Sequence, residues 1–591
     1  MTGKTRLCGD CKFHLQRGVC PKAEYKKRED NLTACGSSDL ACELFQAKIK
    51  NEEASQFFDK KGKFQPVVFA KRLLEKYPFK TTRDNKTIYV YNKESGVYAP
   101  DGETLIQAEL AALLDEETKK NYINDVQFFI EGKTFFDRPN PPSKYLATLN
   151  GLLDPVTCEF INFTPEEFVE TKIPIFYNPE EDSPDDIIKF ITDVVGEENL
   201  PLIQELAGYL LLKSYPIHRS FMLLGEGSNG KSTFMRLLTR LIGKENKSDV
   251  SLYSLCSNRF AVAVLYNKLG NFCPDLPDKT LVNTGVFKSL VGEDSIMAEQ
   301  KFKDPFGFTN YAKLIFSTNK VPDSQDDTVA FYRRWIIIHC TNTYSPKGMG
   351  GTCKANPSIL DDICNIYTMS GFLNWSLEGL KRLLKNGRFS QKTTWIEQRA
   401  EYIKHSNSAK AYIESQLEES IETEDYIPKD ELYSSYAQWC KENKLPSLVK
   451  GKFTESMKQH LPSVTEGTKT EEDEAKFRVW RYVKYREEQG EQGEHGFSNF
   501  KLDFNFINLR KDTLVPDVPP VPEDVIDGYF KPKKLPSLKS PKKEFCSDCG
   551  RELEDDEFRT FLQGKLLCKN CFKAQKRRQD DNENGKGAAS H

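Results

Sequence analysis

Runs of apolar residues along this chain change their spacing from continuous to helical and back, and those changes mark its elements. Phe221-Met222-Leu223-Leu224 is a continuous apolar run, the pattern of a strand buried on both faces. Beyond it Phe234, Leu237, Leu238, Leu241 and Ile242 recur at helical spacing and stop at Gly243, a residue suited to a C-cap. Lys313-Leu314-Ile315-Phe316-Ser317 and Trp335-Ile336-Ile337-Ile338 predict two more short buried strands. Residues 265–274 make a poorer strand, because Asn271 and Pro274 interrupt the apolar run. Upstream, 87–91 reads as a strand and 105–130 as helical, with proline clusters around 139–142 and 174–184. Downstream, 431–440 is amphipathic, 453–461 predicts a second helix and 477–483 a strand.

These patterns divide the chain into an α+β region at 50–195, an α/β domain at 196–400 and a smaller mixed domain at 405–486. Two or three helices followed by a hairpin give that last segment a winged-helix pattern. Residues 487–543 are rich in proline and charge, as in Val515-Pro516-Asp517-Val518-Pro519-Pro520, and read as an extended linker. The polar tail at 574–591 has the composition of disorder.

Bulk composition narrows the classes. A chain of 591 residues exceeds one core, and 38% hydrophobic with 29% charged residues is a soluble globular profile. The net charge of −3 gives no global basic field, so any nucleic-acid surface must be local. No apolar stretch approaches the ~20 residues that span a bilayer. The opening Met-Thr-Gly-Lys-Thr-Arg leads into cysteines and not into the apolar core of a signal peptide. A cytoplasmic protein, of a cell or its host, with no membrane partner is expected.

Cysteine usage adds two metal modules. Of 16 cysteines, five precede residue 43 and four follow residue 545. Disulfides do not suit such a compartment, so the clusters point to metal. Cys546-x₂-Cys549-x₁₈-Cys568-x₂-Cys571, within 545–573, has the spacing of a tetrahedral zinc ribbon. In the head at 1–47, Cys8, Cys11 and Cys20 begin a second set. Its fourth ligand is Cys42 or Cys35, with Cys42 preferred, and zinc is favoured over an iron–sulfur cluster.

The loop between the first strand and its helix carries the chemistry. Gly225, Glu226, Gly227, Ser228, Asn229, Gly230, Lys231 and Ser232 fit G-x-x-x-x-G-K-[ST], followed by Thr233. In this pattern backbone N–H groups at a helix N-terminus cradle the phosphates of a nucleotide such as ATP. The lysine reaches the β- and γ-phosphates, and the serine hydroxyl holds Mg²⁺. An acid near the metal is also needed, and Asp275 is the first choice with Asp278 in reserve. Asn319 follows the strand at 313–317 and is placed to orient a water or the γ-phosphate. Arg333 and Arg334, before the last strand, read equally as a surface pair or as transition-state cations.

Taken together, residues 145–340 resemble the superfamily 3 helicases, in the branch of poxvirus-type and phage- or plasmid-type primase-helicases. The resemblance rests on Asn150-Gly151-Leu152-Leu153-Asp154, Gly208-Tyr209-Leu210, the loop at 225–232 and Phe287-Lys288-Ser289-Leu290-Val291-Gly292-Glu293-Asp294. It continues through Ala298-Glu299-Gln300-Lys301-Phe302-Lys303, Tyr311-Ala312-Lys313-Leu314-Ile315-Phe316-Ser317-Thr318-Asn319, and Phe331-Tyr332-Arg333-Arg334-Trp335. Such a resemblance implies an AAA+ motor that assembles as a hexameric ring and draws single-stranded or forked DNA through its pore. It implies Asp275 as the Walker B acid, Asn319 as sensor 1 and Arg334 as a trans-acting finger, with Arg333 second. A hairpin at 295–308 would present Lys301, Phe302 and Lys303 to DNA, although a solvated hairpin is the plainer reading of the residues alone. This family often carries a winged-helix domain after the motor, for DNA or protein contact.

Two other functions compete. A bifunctional primase-helicase needs a carboxylate-rich metal site upstream, and the hundred or so residues available show no compact acidic triad; a separate primase or polymerase partner is the simpler expectation. A nucleotide-switched initiator or loader would bind DNA and ATP without unwinding.

Overall fold

In a computed structural model of the chain the described residues are 54–486, apart from 116–117, 140, 277–278, 302–303, 349–352, 392 and 471–475, together with short strands between 544 and 568. Residues up to Tyr529 form one unit and those from Phe530 a second.

The first part has strands Phe79–Thr82, Ile88–Asn92 and Val97–Ala99 in antiparallel array, with Phe135–Phe136 returning parallel to the first. Helices Pro66–Lys76, Gly102–Leu114 and Lys120–Thr134 close over it, burying Ile106, Leu110, Val126 and Ile130 with Phe79 and Ile88. The helix expected over 105–130 is thus two helices. At the break Asp115 adopts a φ of 52°. The run Asp115-Glu116-Glu117-Thr118-Lys119 offers no apolar side chain to carry the buried stripe onward.

At the centre lies an all-parallel sheet of β1 (Ser220–Leu224), β2 (Lys247–Ser248), β3 (Gly270–Cys273), β4 (Lys313–Thr318) and β5 (Trp335–His339). Their spatial order is β5-β1-β4-β3-β2. Every position of β1 and β4 is buried, as parallel strands covered on both faces require. The helices used below are α1 (Asp185–Val195), α2 (Leu200–Tyr209), α3 (Lys231–Ile242), α4 (Ile366–Asn386) and α5 (Trp395–Ser406). Helix α3 buries the predicted stripe Phe234, Leu237, Leu238, Leu241 and Ile242. One apolar core takes in the sheet and reaches from Leu146 to Ile403. Helix α5 follows the edge strand β5, where Gln398 Oε1 accepts the Ile337 N–H at 3.0 Å. That contact covers a sheet edge that would otherwise offer unpaired backbone.

Strand β3 shows why its sequence reads poorly. The segment 262–265 is a 3₁₀ turn, and the strand is confined to four residues. Asn271 is fully buried within it. Its Oδ1 accepts the Val250 N–H at 2.8 Å and the Ser248 hydroxyl at 2.9 Å, and its Nδ2 donates to the Val250 carbonyl at 2.9 Å. These three hydrogen bonds tie β3 to β2 and the chain just beyond it, and they offset the cost of burying the amide.

Helices α2 and α4 cross in close contact because glycine stands at the crossing on each. A Cβ on Gly208 would lie 2.2 Å from the Ser376 carbonyl oxygen, and one on Gly379 would lie 2.2 Å from that of Gln204. Beside the crossing Arg382 donates to Glu205 (2.8 Å), Gln204 (2.6 Å) and the Pro201 carbonyl (2.7 Å). Glu205 is fully buried and also accepts the Ser390 N–H and hydroxyl, each at 2.6 Å.

After α5 come helices Ser408–Gln416, Lys429–Glu442 and Lys450–His460. They pack with a sheet of Tyr426–Pro428, Lys476–Arg481 and Thr465–Thr470 around Trp480, Tyr436 and Phe453. In the second unit Glu544–Phe545 pairs with Glu552–Leu553, and Arg559–Leu562 with Lys565–Cys568. The side chains of Cys546, Cys549, Cys568 and Cys571 lie outside the described residues, as do Cys8, Cys11, Cys20 and Cys42.

Candidate functional site

Strand β1 ends at Leu224, and the loop 225–230 reverses the chain into α3. Such a turn needs left-handed backbone, supplied by Ser228 (φ 62°) and Gly230 (φ 80°). Gly230 is also crowded: a Cβ there would stand 2.9 Å from a Val194 methyl carbon. On the outer rim, a Cβ on Gly227 would meet nothing within 4 Å, so the mouth of the loop is open.

The loop is held from outside by the strands beside it. Gly225 N–H donates to the Thr318 carbonyl at 3.3 Å, and Cys340 N–H to the Leu224 carbonyl at 2.8 Å. Tyr344 N–H donates to the Ser228 carbonyl at 2.8 Å. Buried Asn229 donates through Nδ2 to the carbonyls of Cys340 (3.0 Å) and Asn342 (2.9 Å). The segment following β5 therefore braces the loop in place, a role with no signal in the spacing of the sequence.

Lys231, the first residue of α3, is 6% exposed. Its ammonium donates to the carbonyls of Gly225 (2.7 Å) and Glu226 (2.9 Å) and to Asn319 Oδ1 (3.1 Å). Burial holds its pKa below the ordinary lysine value, opposed in part by the charge of Asp275. So the structure brings Lys231, Asn319 and Asp275 together at the C-terminal edge of the sheet. This is the point where the chain passes from β4 on one side of β1 to β5 on the other, the switch point at which open α/β sheets bind ligands. Ser232 and Asp275 are exposed, and Thr233 is half-buried and accepts from Arg236 at 3.0 Å. Asp278 lies outside the described residues.

The paired arginines stand elsewhere. They precede β5, and the Arg334 carbonyl accepts the N–H of Ser220, the first residue of β1, at 2.6 Å. That places them at the opposite edge from the loop, about 16 Å away along five strand residues. Arg334 is 8% exposed, its Nε has no hydrogen-bond partner among the described residues, and one terminal nitrogen donates to the Ala330 carbonyl. Burial and the neighbouring Arg333 charge hold its pKa below the usual arginine value. Arg333 is half-buried and more open than Arg334.

Strands Ser295–Ala298 and Phe306–Thr309 form the expected antiparallel hairpin between β3 and β4. Its second strand packs on Tyr266, whose ring lies 5.1 Å from that of Phe306 and 5.5 Å from that of Phe308. Lys301 is exposed near the tip, while Phe302 and Lys303 lie outside the described residues.

Residues 223–334, from the loop to Arg334, match a family of unknown function (DUF5906). Residues 380–506 match the poxvirus D5 protein-like family. A protein of Acanthamoeba polyphaga mimivirus named "Putative helicase L207/L206" is 26% identical over 257 residues, 41% of this chain. Similarity to a poxvirus D5-type family over 380–506 and to a viral protein named as a helicase together support a poxvirus-type helicase or primase relationship. The D5-like match begins within α4 and runs through α5 and the C-terminal helices, so it is separate from the loop match. The chain spans 26% of the mimivirus protein's length. Two apo structures of the NrS-1 C-terminal region align over 71% of this chain and 99% of their own, at 14% and 12% identity and a TM-score of 0.37 each. Likeness at that level assigns no role to any residue here. Among the described residues no helix is long and apolar enough to cross a membrane.

Proposed function

We propose that this D5-like chain is an ATP-driven DNA helicase, an AAA+ motor that acts as a homo-oligomeric ring, hexameric by resemblance, on single-stranded and forked DNA. The observation that carries the reading is the Lys231 ammonium within 3.1 Å of Asn319 Oδ1, beneath a braced phosphate-type loop at the switch point of a parallel sheet. The lysine supplies a fixed cation for the β- and γ-phosphates, and Asn319 orients the attacking water or the γ-phosphate. Exposed Ser232 and Asp275 are oxygen donors of the kind a hard cation takes, so they would hold Mg²⁺. That ion would neutralise charge developing on the phosphate oxygens. Loop N–H groups and the N-terminus of α3 bind the phosphates before any chemistry, which keeps reorganisation small.

Placement of Arg333 and Arg334 at the far edge of the sheet supports a site completed by a neighbouring subunit, since neither reaches the loop of its own chain. Greater exposure makes Arg333 a candidate finger equal to Arg334. The hairpin with Lys301 at its tip is suited to grip a phosphate backbone. Helices, hairpin and core at 408–485 support a winged-helix reading, and the two strand pairs of the second unit support the single zinc ribbon expected at 545–573. A separate primase or polymerase is the expected partner.

Strand displacement on a forked DNA duplex tests this function. ATP-dependent release of the displaced strand by wild type, absent in Lys231→Ala, is the expected result. Binding and ATP turnover without displacement would instead identify a nucleotide-switched loader.

A further inference from the structure

Strand β5 ends at His339, and α5 runs beside it with Glu401 and His405 four residues apart on the facing side. Two of the chain's seven histidines thus converge on one carboxylate. His339 Nε2 lies 3.0 Å from Glu401 Oε1, and His405 Nε2 lies 2.8 Å from the same oxygen. The two imidazole rings are 5.4 Å apart, and all three ligand atoms fall within 4.8 Å of one another.

We propose that His339, Glu401 and His405 form a binding site for a divalent transition metal, zinc by preference, which clips the end of β5 to α5. Two imidazole nitrogens and a carboxylate oxygen are a zinc donor set, and they suit Mg²⁺ or Ca²⁺ poorly. Ligands ~2.0–2.1 Å from a tetrahedral ion stand about 3.3 Å from one another. The observed 2.8 and 3.0 Å separations open to that value by a few tenths of an ångström. Side chains that are 43%, 31% and 24% exposed, for His339, Glu401 and His405, have room for that movement. The same exposure gives an ion a way in and leaves a fourth position for water. Spacing of i, i+4 on one helix face is how a helix supplies two ligands to one metal.

The plainer reading is a carboxylate shared by two imidazoles through hydrogen bonds alone. What favours a metal is that both rings aim at one oxygen from two different elements, so a cation placed among them replaces both contacts at once. Its position gives it consequences. His339 precedes Cys340, whose N–H and carbonyl brace the candidate nucleotide loop. Helix α5 leads directly into the C-terminal helices. A bound ion would fasten the joint between the sheet and that region.

Zinc counting on the full chain tests the site, after chelation, reloading with zinc and removal of excess. Both cysteine modules are common to wild type and variants, so the difference isolates this cluster. His405→Gln and His339→Asn, which keep a hydrogen-bond donor but are poor zinc ligands, are each expected to hold one zinc fewer per chain. X-ray absorption at the zinc edge should show the lost component to be nitrogen- and oxygen-bound. Equal zinc in variants and wild type, or loss confined to sulfur-bound zinc, overturns the proposal and leaves a hydrogen-bonded triad.

Discussion

Replacing Lys231 with alanine is expected to lower ATP turnover at least 10²-fold, with little change in melting temperature. The ammonium is the cation aimed into the loop, and it is held there by two loop carbonyls and by Asn319. Losing one preorganised donor to developing charge costs roughly 10²–10³ in rate. Folding does not need this contact. Burial already opposes the charged lysine, and the strand and helix around it keep their own core. Steady-state ATP hydrolysis and a thermal melt on the same sample check both halves. Turnover within a few-fold of wild type would remove Lys231, and with it the loop, from the mechanism.

Gly379→Val is expected to produce the largest loss of stability, at least about 3 kcal/mol, the upper range for forcing extra atoms into a packed interior. A Cβ at this position overlaps the Gln204 carbonyl oxygen at 2.2 Å and its carbon at 2.4 Å, both on backbone that cannot rotate away. Helices α2 and α4 would have to separate. Separation would also stretch the contacts of fully buried Glu205 with Arg382 and Ser390, and an uncompensated buried charge is costly. For a domain of this size such a loss lowers the melting temperature by about 6–12 °C. Arg382→Ala should weaken the same crossing without the steric clash. A melt of Gly379→Val equal to wild type would mean that the two helices pack otherwise.

How far the sequence reveals these features depends on how local each one is. Strand β1, its loop and α3 were legible because strand, glycine turn and helical stripe follow one another within a single stretch. Strand β4 was legible because a parallel strand buried on both faces is a plain apolar run. Asn271 obscured β3, since its amide is satisfied by Ser248 and Val250, more than twenty residues away. The break at Asp115 does not show in the sequence, because the apolar periodicity of two successive helices merges when the intervening residues are polar. In the sequence Asn229 is one more loop residue, yet its partners Cys340 and Asn342 are over a hundred residues on. The arginines were legible as a pair, but only the strand register shows that they sit at the edge remote from the loop. His339, Glu401 and His405 gave no signal at all, because a strand end and a helix separated by about sixty residues must meet before they form a cluster.

ATP hydrolysis per chain, measured against protein concentration with and without single-stranded DNA, is the most direct test of a ring motor. Expected is a rate that climbs steeply with concentration, rises further with DNA, and collapses in Arg333→Ala or Arg334→Ala while nucleotide still binds. A rate per chain that is constant with concentration, indifferent to DNA and unchanged in both arginine variants would contradict it, because each site would then work alone.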